Sequence, residues 1–183
     1  IEPILRQGQI RWYKTPSKGN IYTVTLDPSV GTGGDPAGIQ IFEANTTTQV
    51  GEWKHNKSDI PSQIKLIAQI TKYISDCTGE PRNIYYSIEN NSVGEAGLVV
   101  VTEIGEESIP GLFLSEPIRK GHVRRYRKGF YTTHAAKISA CAKLKHLIES
   151  DRMEINSKAL ISELKTYIAK GLGFEAKVGQ HDD

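Results

Sequence analysis

The stretch "SDIPSQIKLIAQITKYISDCTG", residues 58–79, carries Ile60, Ile64, Ile67, Ile70, Ile74 and Cys77 at helical spacing. That is the apolar stripe of an amphipathic helix, and it constrains the fold more than any other segment. Asp59 or Ser58 can cap its start, Pro61 suits its first turn and Gly79 its stop. Both flanks switch to strand character. "NIYTVTLD" (20–27), "AGIQIFEA" (37–44) and "TTTQVGEWKHN" (46–56) are rich in β-branched and aromatic residues. Their short polar links predict an antiparallel meander. "RNIYYSIEN" (82–90) reads as a fourth strand. A one-faced helix between a meander and a further strand needs a sheet to lie on.

The rest of the chain continues the alternation. "SVGEAGLVVVTEIGEES" (92–108) reads as a helix despite its valines, and "GLFLSE" (111–116) as a short fifth strand. "PIRKGHVRRYRKGFYTTH" (117–134) lacks helical periodicity and predicts a hairpin or long loop. "AAKISACAKLKHLIESD" (135–151) predicts a helix with Ile138, Cys141, Leu144 and Ile148 on one face. "RMEIN" reads as a short strand, "SKALISELKTYI" as an amphipathic helix opened by a Ser cap, "GLGFEAKVG" as extended, and "HDD" as the start of a final helix. The expected class is α/β: a mixed central sheet, with a three-strand antiparallel meander plus parallel strands, flanked by helices. A length of 183 residues suits one domain of roughly 100–200 residues. Residues 1–19 read as a linker and short strand, and 20–183 as the domain. Opening without Met and stopping just after "HDD", the chain reads as a fragment of something longer.

Function classes narrow in the same way. No stretch approaches the roughly 18 apolar residues of a membrane span, and no signal peptide opens the chain. Cys77 and Cys141 sit in helix-like apolar patterns and read as reduced core thiols, not as a disulfide or zinc site. Trp12 and Trp53 read as packing, and His55, His122, His134 and His146 as surface residues. There is no G-x-S-x-G elbow. "VGTGGD" lacks the G-K-[ST] of a phosphate-binding loop and precedes a strand where such a loop needs a helix.

The carboxylates follow a pattern. Asp27 and Glu89 each end an apolar strand, and ligands of open α/β sheets bind at that edge. Asp35 lies in the glycine-rich turn after Asp27. Asp182 and Asp183 form a third acidic cluster beside His181, which could position water or help bind metal. Hard oxygen donors without a Cys or His framework suit Mg²⁺ or Mn²⁺. Two such ions, roughly 3.5–4 Å apart, could bind the attacking and leaving oxygens of a phosphoryl displacement. Spacing alone equally allows a plainer account, in which Asp27 and Asp35 shape a turn, Glu89 is an exposed strand end and the last aspartates cap a helix.

"RKGHVRRYRKGF" gathers Arg119, Lys120, Arg124, Arg125, Arg127 and Lys128 around Tyr126 and His122, in a chain of net charge only +2. Such a local patch can hold DNA phosphates, or simply be a solvated hairpin. Lys137, Lys143 and Lys145 read mainly as the wet face of the next helix. No base-reading motif accompanies the patch.

"YTVTLDPSVGTGGDPAGIQIFE", "IYYSIENN" and "GFEAKVGQHDD" resemble, in order, the three acidic motifs of the nuclease domain of tailed-phage large terminase subunits, the T4-like group in particular. "GFYTTHAAKISACAKLKHLIESDRMEI" is similar to the segment before the last motif, and the likeness runs from about Tyr13 onward. The resemblance implies an RNase H-like fold of the resolvase superfamily and a metal-dependent endonuclease that cuts concatemeric double-stranded DNA during packaging. It implies Asp27, Glu89 and one or both of Asp182 and Asp183 as ligands of two Mg²⁺ or Mn²⁺ ions, with Asp35 accessory. It also implies the portal ring, the small terminase subunit and the chain's own N-terminal ATPase domain as partners, and the host cell cytoplasm as the setting. The alternatives are a non-catalytic DNA-binding or motor-docking module on the same fold, and a resolvase-like nuclease.

Overall fold

Asp59 accepts a 2.8 Å hydrogen bond from the Ser62 amide and so starts the helix predicted from the isoleucine stripe, α1 (Ile60–Thr78), which Gly79 ends in the left-handed conformation at φ 68°. The computed structural model describes residues 1–90, 93–120, 123–170 and 173–176. The strands before α1 are β1 (Leu5–Gln7), β2 (Ile10–Trp12), β3 (Tyr22–Asp27), β4 (Ala37–Glu43) and β5 (Thr48–His55). After it come β6 (Ile84–Ile88), α2 (Gly94–Ile104) and β7 (Leu112–Phe113). These seven strands form one sheet in the order β1-β2-β5-β4-β3-β6-β7. The meander β3-β4-β5 is antiparallel, while β6 joins β3 and β7 joins β6 in parallel. The predicted mixed sheet is therefore present, with β1 and β2 extending it on the meander side.

Alternation sets the two faces of the sheet. Tyr22, Val24 and Leu26 are buried, and Thr23, Thr25 and Asp27 are half-buried on the opposite side. On the first face lies α1, whose Ile64, Ile67, Ile70 and Ile74 are fully buried in one cluster with Val24, Leu26, Ile39, Ile41, Ile84 and Ile88. Each such isoleucine contributes roughly 1.5–3 kcal/mol of burial. Trp12 and Trp53 belong to the same core.

The second face is more polar. After β7 come β8 (Ser115–Lys120), β9 (Val123–Lys128), α3 (His134–Glu149), α4 (Lys158–Thr166), β10 (Tyr167–Lys170) and β11 (Gly173–Ala176). Ser157 caps α4, its Oγ accepting from the Leu160 amide at 3.0 Å. The start of α4 is fastened by Gln49, whose Oε1 accepts from the amides of Asn156 (3.0 Å) and Ser157 (2.8 Å). Ser157 also donates to Glu52, a buried carboxylate that pairs with Arg11 at 2.7 Å and accepts from Tyr13. Further along α4, Glu163 pairs with Lys54.

Four expectations are corrected. "RMEIN" is not a strand: Glu154 alone bridges Thr48, because the chain slots in past the end of β2, where only the first residues of β5 are left to pair. The helix predicted over "SKALISELKTYI" stops at Thr166, and the aromatic and β-branched Tyr167 and Ile168 begin β10, which pairs antiparallel with β11. The thiols are not in the core, since Cys77 is exposed and Cys141 only half-buried. The apolar face of α3 is only half-buried, with Ile148 44% exposed.

Candidate functional site

Register brings the two strand-end acids together. β3 and β6 run parallel with Leu26 opposite Ile88, and the Glu89 amide donates to the Leu26 carbonyl at 2.9 Å. Asp27 and Glu89 are each the next residue, so they stand on neighbouring strands, about 4.8 Å apart along the sheet. Both follow residues buried on the α1 side, so both belong to the opposite face. They line one open cleft of about 420 Å³ with Pro28, Ser29, Val30, Thr32, Asp35, Pro36, Val93 and Gly94. The predicted convergence of Asp27 and Glu89, with Asp35 on the same cleft, is what the fold produces.

The loop after Asp27 is held by a residue with no sequence signal of its own. Gln63, fully buried on α1, donates to the carbonyls of Ser29 (2.7 Å) and Ser58 (2.8 Å) and accepts from the Ser29 amide (3.3 Å). Further out, Asn56 and Gly33 exchange hydrogen bonds of 3.0 and 2.9 Å. The Asp35-bearing loop is thus pinned at two points.

The segment leaving β9 forms the other wall. Phe130 bridges Glu89, donating to the Ile88 carbonyl at 3.0 Å and accepting from the Asn90 amide at 2.7 Å. Thr132 donates to Glu89 Oε1 at 2.5 Å, a short charge-assisted bond. The Tyr131 hydroxyl accepts from Asn90 at 2.9 Å and lies 3.4 Å from Glu95 Oε1. These contacts were invisible in sequence because they join residues some forty positions apart.

β8 and β9 form the predicted hairpin, carrying Arg119 and Lys120 on one strand and Arg124, Arg125, Arg127 and Lys128 on the other. Its register sets Arg119 opposite Arg124, Ile118 opposite Arg125 and Glu116 opposite Arg127. Asp182, Asp183 and His181 lie outside the described residues. Among the described residues no three His, Cys, Asp or Glu side chains group as a metal site. What is described supplies two adjacent carboxylates at an open cleft, a donor set that fits part of a hard divalent-cation site.

A mixed sheet of antiparallel meander and parallel strands, helices on its faces and acids at the strand ends, defines an RNase H-like fold. The structure is similar to the large terminase nuclease from thermophilic phage G20c with bound magnesium, with a TM-score of 0.71 and 16% identity, covering 100% of this chain and 86% of that one. It is similar to the nuclease domain of the Thermus phage P74-26 large terminase, with a TM-score of 0.67 and 16% identity over 100% of this chain and 84% of that one. The human cytomegalovirus terminase nuclease domain aligns with a TM-score of 0.57 and 14% identity, over 74% of this chain and 63% of that one. The G20c nuclease has also been seen with bound cobalt and zinc. No protein-family model matches the chain. The likeness inferred from the acidic segments holds at the level of fold.

Proposed function

We propose that this chain is a metal-dependent DNA endonuclease of a phage packaging machine, cutting concatemeric double-stranded DNA. The observation that carries the reading is the placement of Asp27 and Glu89 at neighbouring strand ends on one cleft, within a fold shared with terminase nucleases. Asp27 and Glu89 hold the cation from the sheet rim, and one or both of Asp182 and Asp183 complete the ligand set. When bound, two Mg²⁺ or Mn²⁺ ions would supply an activated water and charge stabilisation for the departing 3′ oxygen. Asp35 and His181 are accessory groups that orient water or support the metal.

Arg119, Lys120, Arg124, Arg125, Arg127 and Lys128 hold phosphates beside the cleft. With no base-reading motif, cutting has little sequence preference. In this reading the partners are the chain's own N-terminal ATPase domain, the small terminase subunit and the portal ring, in the host cytoplasm.

Plasmid cleavage in Mg²⁺ and Mn²⁺ tests the proposal. Asp27→Ala and Glu89→Ala should each lower the rate by roughly 10²–10³-fold, from the several kcal/mol a catalytic metal supplies, with an unchanged melting temperature. Wild-type protein that retards DNA but never nicks it would instead indicate a non-catalytic binding module. Preference for branched over linear DNA would indicate a resolvase.

A further inference from the structure

Thr132 is exposed, and an exposed threonine hydroxyl ordinarily bonds to water. Here it sits 2.5 Å from Glu89 Oε1. Both sides of the residue are fixed. On the N-terminal side, Gly129 adopts φ +76°, and a Cβ there would lie 2.4 Å from the Ile88 carbonyl oxygen, so only glycine lets this segment approach β6 so closely. Phe130 is then paired through both its amide and its carbonyl. The Tyr131 amide donates to Glu116 at 3.3 Å, and its hydroxyl meets Asn90 and Glu95. On the C-terminal side, Thr133 caps α3, accepting from the Ala136 amide at 3.1 Å. A strand register and a helix cap therefore place one hydroxyl on one carboxylate oxygen.

We propose that Thr132 is a positioning residue for Glu89, fixing the orientation of its carboxylate for cation binding. The inference rests on the metal reading of the site above. Groups that hydrogen-bond a ligating carboxylate hold its orientation, and their loss costs roughly 10–100-fold in metal affinity or activity. A threonine suits the task because its hydroxyl donates to the carboxylate and adds no charge to compete with the ion.

The test is Mn²⁺ binding to the 183-residue chain, measured by calorimetry, for wild type, Thr132→Val and Thr132→Ser. Valine keeps the shape and removes the donor; serine restores it. Thr132→Val should bind Mn²⁺ about tenfold more weakly and raise the Mn²⁺ concentration for half-maximal plasmid cleavage by the same factor. Its DNA retardation in EDTA and its melting temperature should match wild type. Thr132→Ser should recover most of the affinity. Wild-type binding with equal affinity in Thr132→Val overturns the inference alone, as does weakening that serine fails to rescue. No Mn²⁺ binding by wild type overturns the metal reading and this inference with it.

Discussion

The Glu89 amide donates to the Leu26 carbonyl at 2.9 Å, and that main-chain bond sets Asp27 and Glu89 side by side. Their spacing comes from strand pairing, which side-chain substitutions leave in place, so the geometry should survive loss of either carboxylate.

Gly94 opens α2 directly against this rim. A Cβ on it would lie 2.2 Å from the Glu89 carbonyl oxygen, a contact that backbone must move to relieve. Gly94→Ala should cost about 1–3 kcal/mol in urea unfolding. It should also reduce Mn²⁺-dependent cleavage, although no acidic group has changed. Unaltered cleavage would show that the rim tolerates displacement.

Gln63 satisfies three backbone groups with one buried amide. Gln63→Leu keeps the volume and strands those groups, and should destabilise the protein by about 2–4 kcal/mol. Hydrogen exchange at the amides of residues 29–35 should rise more than at β4. A uniform rise would mean that Gln63 supports the whole core and not the loop.

The basic ribbon should register in salt. If Arg124 and Arg125 each meet a phosphate, Arg124→Ala/Arg125→Ala should lower the slope of log K against log salt by about 2. The loss should be the same on unrelated sequences. An unchanged slope would place the DNA elsewhere.

Glu43, buried at the far end of the sheet, provides a pH signature. Burial pushes its carboxyl up, but hydrogen bonds from Thr46, Lys14 and Tyr22 outweigh this, and the group ends below its ordinary value. A depressed native value contributes stability that is full above the unfolded value of 4.5 and is lost as pH falls through the native one. Glu43→Gln should cost about 1–3 kcal/mol at pH 7, and the difference from wild type should shrink on acidification below about pH 4.5. A difference independent of pH would mean that packing, not charge, is what the substitution removes.

Periodicity carried most of the architecture. The isoleucine stripe located α1, and the β-branched and aromatic content of "YTVTLD" and "IYYSI" located the two strands that present the acids. Strand ends could be read because the α/β class dictates which rim they share. Short elements were harder: Tyr167 and Ile168, the start of β10, looked like the tail of a helix because a four-residue strand is too short to establish a period. The N-terminal pair β1 and β2 reads as a linker and one short strand until β5 is available as a partner. Gln63 and Thr132 were illegible in principle, since a lone Gln in a helix and a lone Thr in a loop acquire meaning only from what folds against them.

The polar fastening at Gln49 and Glu52 has a mechanical consequence. Where α1 adheres through water-excluded hydrocarbon, the start of α4 at Asn156 and Ser157 is buttoned down by a handful of directional contacts that fail together once one is wetted. Under mild urea this flap should peel off as a unit while the seven-stranded slab stays intact, so limited proteolysis would cut first between Asp151 and Asn156.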